Sequence, residues 1–307
     1  MPTTQLTCAI SIATHNRLPE LRRTLSVIAA LDPPPSHLLI CADGCTDGTS
    51  AYIRENFPQA LLIEHDAPRG SIPSRIELMR AATSDIVISL DDDSHPTNGS
   101  FIGQVRELFA ENPHVAVASF TQRTDEFPAT LHQDSFGPSH YAATYINAAA
   151  AFRRSVYMKL EGWPADFQHA YDEPDYTLQC LAAGYAVFHH TGIIIRHHFT
   201  ATGRNEIRTH HRHARNEQWA AWRRCPFPAV LALSAYRALS QLNYARKRGP
   251  AWLIREPLWW LQAFRGLSAS LQKRRPIPWR VYGRWLCLMR HPIESFDEWR
   301  RLFPEAS

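Results

Sequence analysis

DIVISLDDDSH, residues 85–95, is an apolar run that ends on three consecutive aspartates. Ile86 to Leu90 reads as a buried strand, so Asp91, Asp92 and Asp93 stand at its C-terminal end. Three like charges in a row repel one another. A divalent cation among them removes that repulsion, because hard cations take carboxylate oxygens. Asp91 and Asp93, one residue apart, are spaced to share one ion. Open α/β sheets bind ligands at such strand ends. The competing reading is an acidic helix N-cap, with Ser94-His95-Pro96 opening a helix.

Working outward, the preceding sequence alternates strand and helix signals. Leu6–Ala13, Leu38–Ala42 and Ala60–Glu64 read as short strands, and Pro19–Ala30, Thr49–Asn56 and Ile72–Ala82 as helices. This rhythm predicts an α/β fold, a mainly parallel Rossmann-like sheet flanked by helices. Right-handed crossovers then gather Thr14 to Arg17, Asp43-Gly44 and the aspartate triplet on one edge. Polar clusters converging from three strands suit a nucleotide site. Downstream, strands are expected at Val115–Phe120, Asn147–Phe152, Ala186–His189 and Ile193–His197. A helix is expected over Asp175–Ala183, closed by Gly184. After Cys225-Pro226-Phe227-Pro228 the chain turns rich in Arg, Leu and Trp. A boundary is therefore placed there, between a first domain, 1–225, and a C-terminal helical appendage, 226–307.

The 307 residues are 45% hydrophobic with a formal net charge of +4, too mild to argue for nucleic acid. The six cysteines lack zinc or redox spacing, and reduced thiols in a cytoplasmic protein account for them. No signal peptide and no apolar run of membrane-spanning length is read in the sequence. Seven histidines between 189 and 213 do not fall into a four-ligand zinc pattern.

Six segments in order resemble family 2 glycosyltransferases of the GT-A fold. They are Ser11 to Arg17, Ala42 to Thr49, Gly70 to Arg75, Leu90 to Asp93, Tyr171 to Tyr176, and His197 to Gly203 followed by Arg215-Asn216. The last is most similar to the rhamnosyltransferase-like branch. The chain departs from the family at Ile76, at Cys45 and in the order of the acidic pair, Asp172-Glu173. The resemblance implies inverting transfer from a nucleotide-sugar donor, a UDP- or dTDP-sugar, to a hydroxyl of a glycan or lipid-linked acceptor, with Mn²⁺ or Mg²⁺ as cofactor.

Each position then carries an expectation and an alternative. Asp43 would accept the imide N–H of a pyrimidine base, or only brace an Asx-turn. Thr14, Arg17, Arg75, Asp91 and Asp92 would line the donor, the arginines competing with plain surface ion pairs. Asp93 and His197 would touch the metal. Only one of His197 and His198 can face it, because neighbours on a strand point to opposite sides. Glu173 falls on the general-base position with Asp172 in reserve; a helix N-terminus also stabilises such carboxylates without chemistry. Trp163 and Asp175 would contact the acceptor, with Trp163 otherwise core.

In AWLIREPLWWLQAFRGLSASL, residues 251–271, Leu253, Pro257, Trp260, Phe264, Leu267 and Leu271 share one helical face near Lys273-Arg274-Arg275. That face suits either packing on the core or peripheral contact with the inner face of the cell membrane. The functional alternative is a catalytically weak protein that binds nucleotide-sugar or glycan. A nucleotidyltransferase would need a glycine-rich basic signature that Thr14 to Arg17 lacks.

Overall fold

The computed structural model describes residues 5–199 and 205–304. The Thr200 to Gly203 motif lies outside them. The first half alternates β1 (Cys8–Thr14), α1 (Leu18–Ala29), β2 (His37–Asp43), α2 (Thr49–Asn56), β3 (Leu61–His65), α3 (Ser71–Ala81) and β4 (Ile86–Asp91). Then follow β5 (Ser94–Pro96), α4 (Phe101–Glu111), β6 (Val115–Thr124), β7 (His140–Tyr141), β8 (Ala149–Arg153), α5 (Arg154–Lys159), α6 (Asp172–Ala182) and β9 (Ala186–His197).

The strands form one sheet in the order β3-β2-β1-β4-β8-β6-β9-β5, with β7 beside β9. β3, β2, β1 and β4 are parallel, as the β-α-β rhythm requires. β8 enters antiparallel between β4 and β6, so the sheet is mixed beyond β4. Ile10, Ile12, Ile86, Ile88 and Leu90 are fully buried in β1 and β4, each contributing ~1.5–3 kcal/mol of burial. The chain order reverses at β1, which has β2 on one side and β4 on the other. The C-terminal ends of these three strands therefore open onto a switch-point crevice.

Several boundaries differ from expectation. Ser94-His95-Pro96 does not open a helix; it pairs antiparallel with β9. The two short runs at 186–189 and 193–197 are one strand, whose register against β6 shifts between Phe120 and Thr121. α6 begins at Asp172, three residues earlier than the spacing suggested.

The C-terminal helices are α7 (Glu206–Arg224), α8 (Ala229–Arg248), α9 (Pro250–Leu253), α10 (Glu256–Arg265), α11 (Leu267–Gln272), α12 (Trp279–Leu288) and α13 (Phe296–Leu302). Segment 251–271 is thus three short helices rather than one. Gly266, between two of them, lies against Trp219, where a Cβ would sit 2.1 Å from the indole. α12 and α13 pack on the sheet domain: Trp285 Nε1 donates to Ala143 O, and Trp299 stacks on Tyr141. Among the described residues no helix is long and apolar enough to cross a membrane.

Candidate active site

β4 delivers the aspartate triplet to the crevice, and the β5–β9 pairing brings His197 alongside it, with Ser94 opposite His197. The backbone N–H of His198 donates to Asp93 O at 2.8 Å, fixing that register. Ligand atoms of Asp91, Asp93 and His197 lie within 4.8 Å of one another. His197 Nε2 is 3.3 Å from Asp93 Oδ1, while the His198 ring turns away to His95, Nε2 to Nε2 at 3.0 Å. Two carboxylates and an imidazole on buried strand ends form a donor set that fits Mn²⁺ or Mg²⁺.

Asp92 lies in the turn that follows β4. It accepts Thr14 Oγ1 at 2.7 Å, and its Oδ1 is 3.1 Å from Arg17 Nε. Burial pushes its carboxyl up to about 7, with Arg17 pulling against this and Asp93 adding to it. Thr14 and Asp92, expected along the donor, thus bond to each other in the structure. Arg17 links Asp92 to Asp93, since its Nη2 also lies 2.5 Å from Asp93 Oδ2.

Asp43 closes β2 and is buried. Its oxygens accept the backbone N–H of Arg69 and of Gly70, both at 2.8 Å, and Nδ1 of His65 at 2.7 Å. These donors hold its carboxyl below the usual range against burial. His65 Nε2 in turn meets Glu77 Oε2 at 2.9 Å. Three protein donors thus converge on Asp43, an arrangement that serves the turn-bracing alternative. Gly44 is needed beside it: it has φ +66°, and a Cβ would meet Pro68 N at 2.5 Å. The crevice loops are also stitched together, Thr46 N donating to Asn16 Oδ1 at 2.7 Å and Leu18 N to Asp47 Oδ2 at 2.9 Å.

Arg75, from α3, ion-pairs with Asp91. The fields of Asp172 and Glu173 also reach its guanidinium. Asp172 accepts Asn147 Nδ2 at 2.5 Å and is hydrogen-bonded to Glu173. Burial raises both carboxyls, Glu173 well above its ordinary value, and Asp172 raises Glu173 further. Glu173 keeps partial exposure while Asp172 is buried. Glu173 is therefore the member of the pair that solvent reaches.

The loop before this pair is held in an unfavourable shape: Gln168, Ala170 and Tyr171 have φ of +63°, +71° and +67°. Such conformers cost of order 1–3 kcal/mol each and persist only where surroundings impose them. Asn216 of α7, fully buried, imposes this one by donating Nδ2 to Phe167 O at 3.1 Å and to His169 O and Ala170 O at 2.9 Å. Gly70 admits the loop, its ideal Cβ position lying 2.6 Å from Gln168 O.

The two residues expected at the acceptor are both buried. Asp175 is 1% exposed, and Arg224 and Gln179 occupy its oxygens. Trp163 is core, packed edge-on to Phe152 with Nε1 donating to Tyr145 OH at 2.7 Å. The sequence did not point to His65, Glu77 or Asn147, because each matters only through a partner distant in the chain. Asn216 was visible as part of a motif, without its role.

Solved structures with similar folds include glycosyltransferases. One is the mannosyltransferase PcManGT of Pyrobaculum calidifontis, in complex with GDP-Man and Mn²⁺. It is 20% identical with a TM-score of 0.58, over 93% of this chain and 88% of that one. A fragment of TarS from S. aureus aligns at 15% identity and TM-score 0.60, over 97% and 90%. GalNAc-T7 with UDP, GalNAc and Mn²⁺ aligns at 10% identity and TM-score 0.57, over 71% of this chain and 48% of that one. No curated protein sequence matches. These likenesses establish the GT-A fold. The family model described as glycosyl transferase family 2 matches residues 9–189, spanning the crevice, the aspartate triplet and the acidic pair, and the chain belongs to that family.

Proposed function

We propose that this protein transfers a sugar from a nucleoside diphosphate donor to a hydroxyl of a glycan or lipid-linked acceptor, with inversion at the anomeric carbon. The observation that carries the reading is Arg75, which pairs with Asp91 of a divalent-cation donor set and lies in the field of the Asp172–Glu173 carboxyl pair. Mn²⁺ or Mg²⁺ would be held by Asp91, Asp93 and His197 and would neutralise the charge that develops on the departing diphosphate. Arg17 and Arg75 supply further positive charge at the same place. Glu173, the less buried member of the pair, is suited to take the acceptor's proton as the hydroxyl attacks. Asp172, itself bonded by Asn147, holds it in place. Backside attack on the anomeric carbon, opposite the diphosphate, gives inversion.

A second reading is a nucleotide-sugar or glycan binding protein without turnover. Burial and Asp172 shift the Glu173 carboxyl upward, against the ionised form a base requires, and this favours it. Calorimetry with UDP-, dTDP- and GDP-sugars, with and without Mn²⁺, tests both readings when paired with an assay for nucleoside diphosphate release. Metal-dependent binding that is lost in Asp93→Ala, with turnover in the wild type, is the expected result. Metal-dependent binding without release under any acceptor condition leaves the binding protein. Undiminished binding to Asp93→Ala removes the metal site from both.

A further inference from the structure

The outward side of α10 is more apolar than its inward side. Glu256, Trp259 and Ala263, at i, i+3 and i+7, face the protein, and Trp259 is only 2% exposed. Leu258, Trp260, Leu261 and Phe264 face out, with Phe264 75% exposed. A surface helix ordinarily shows the reverse. The apolar face continues onto Tyr236 and Leu239 of α8 and onto Ile254, 79% exposed at the α9–α10 turn. An apolar groove of about 330 Å³ opens between Trp219, Trp222, Trp260 and Phe264. Exposed apolar surface on this scale marks an interaction site.

Charge supplies the second observation. Residues 226–290 contain twelve Lys and Arg and one acidic residue, Glu256. Glu256 is buried, bonded to His210 Nε2 and Trp259 Nε1 at 2.7 Å each. This segment therefore presents no acidic side chain to solvent. Arg246, Lys247, Arg248, Arg255, Arg265 and Lys273 are all exposed. With a chain total of only +4, the remainder of the protein is net acidic.

We propose that the outward face of α8–α11 docks on an anionic lipid bilayer. Its apolar side chains enter below the headgroups, Trp260 sits at the interface, and the basic side chains meet lipid phosphates. A second copy of the chain fits poorly, because a two-fold contact would oppose two strongly positive surfaces. A nucleic acid would answer the charge but leave Ile254 and Phe264 in water. The inference rests on this surface alone and not on the proposed transfer reaction.

The test is flotation of the full-length protein with vesicles of phosphatidylcholine, alone or mixed with phosphatidylglycerol, at low and high salt. The protein is expected to float with the anionic vesicles and to be weakened by salt. Arg265→Gln should lower partitioning about fivefold, the effect of one basic side chain near an anionic surface. An Ile254→Asp/Phe264→Asp double variant should abolish it. Unchanged urea midpoints and unchanged nucleoside diphosphate affinity would show the variants folded. Three outcomes overturn the proposal. They are no flotation by the folded protein, equal flotation on neutral and anionic vesicles, and a wild-type dimer in light scattering that Phe264→Asp splits while neither form binds vesicles.

Discussion

Truncating Arg224 to alanine should destabilise the whole fold, and the structure fixes by how much. Arg224 ends α7 and is buried; its Nε and Nη2 lie 2.9 and 3.0 Å from the two oxygens of Asp175 on α6. It also reaches Glu161, at 2.9 and 3.2 Å, but that carboxylate is 51% exposed and screened by solvent, so it contributes little. The loss therefore comes from Asp175. Without Arg224 its carboxylate stays buried with only Gln179 Nε2, at 2.8 Å, as a side-chain donor. Breaking a buried pair by removing one partner costs about 3–5 kcal/mol. A domain's total stability is about 5–15 kcal/mol, so the effect is large. Urea denaturation followed by tryptophan fluorescence reads it, as a shifted midpoint at constant slope. Asp175→Asn combined with Arg224→Met removes both charges and should recover much of the loss, giving a coupling energy above about 2 kcal/mol. If the single changes add, or Arg224→Ala loses less than about 1 kcal/mol, the strut between α6 and α7 does not exist as described. An acceptor KM that rises in Asp175→Asn while stability stays level would restore Asp175 to the acceptor site.

Glu173→Gln should lower transfer ~10²–10⁴-fold while donor affinity stays at the wild-type level, because it keeps shape and removes basicity. A larger loss in Asp172→Asn than in Glu173→Gln would reverse their roles. Because burial and Asp172 hold Glu173 well above its ordinary value of 4.5, transfer should climb with pH through that raised pKa, and the Gln variant should lose the limb. Burial opposes the charge on His65, but Asp43 and Glu77 outweigh it and raise its pKa above 6.5. The stability its imidazolium contributes is complete below about pH 6.5 and fades as pH rises through the folded value. Glu77→Gln should flatten that decline in urea melts run across this range; a profile matching wild type would exclude the pairing.

The strands β1 to β4, the helices between them and the acidic strand end were legible because each is a local pattern. Alternation, helical spacing and an abrupt change from apolar to charged residues need no knowledge of the rest of the chain. The six ordered motifs added the family, since order and interval are also sequence properties. What the sequence left open was direction. It put Asp91, Asp92 and Asp93 together, and only the β4–β5–β9 pairing sends two toward His197 and the third under Thr14. Likewise Asp43 looked available until His65 and the 69–70 backbone closed on it, 22 to 27 residues away. Asp175 looked exposed at a helix start until Arg224, 49 residues on, took its charge. The amphipathic stretch at 251–271 is broken twice, at Ile254-Arg255 and at Gly266, which lies against Trp219. A side chain's type and spacing are written in the chain, whereas its partner is chosen by packing between segments whose separation no local period encodes.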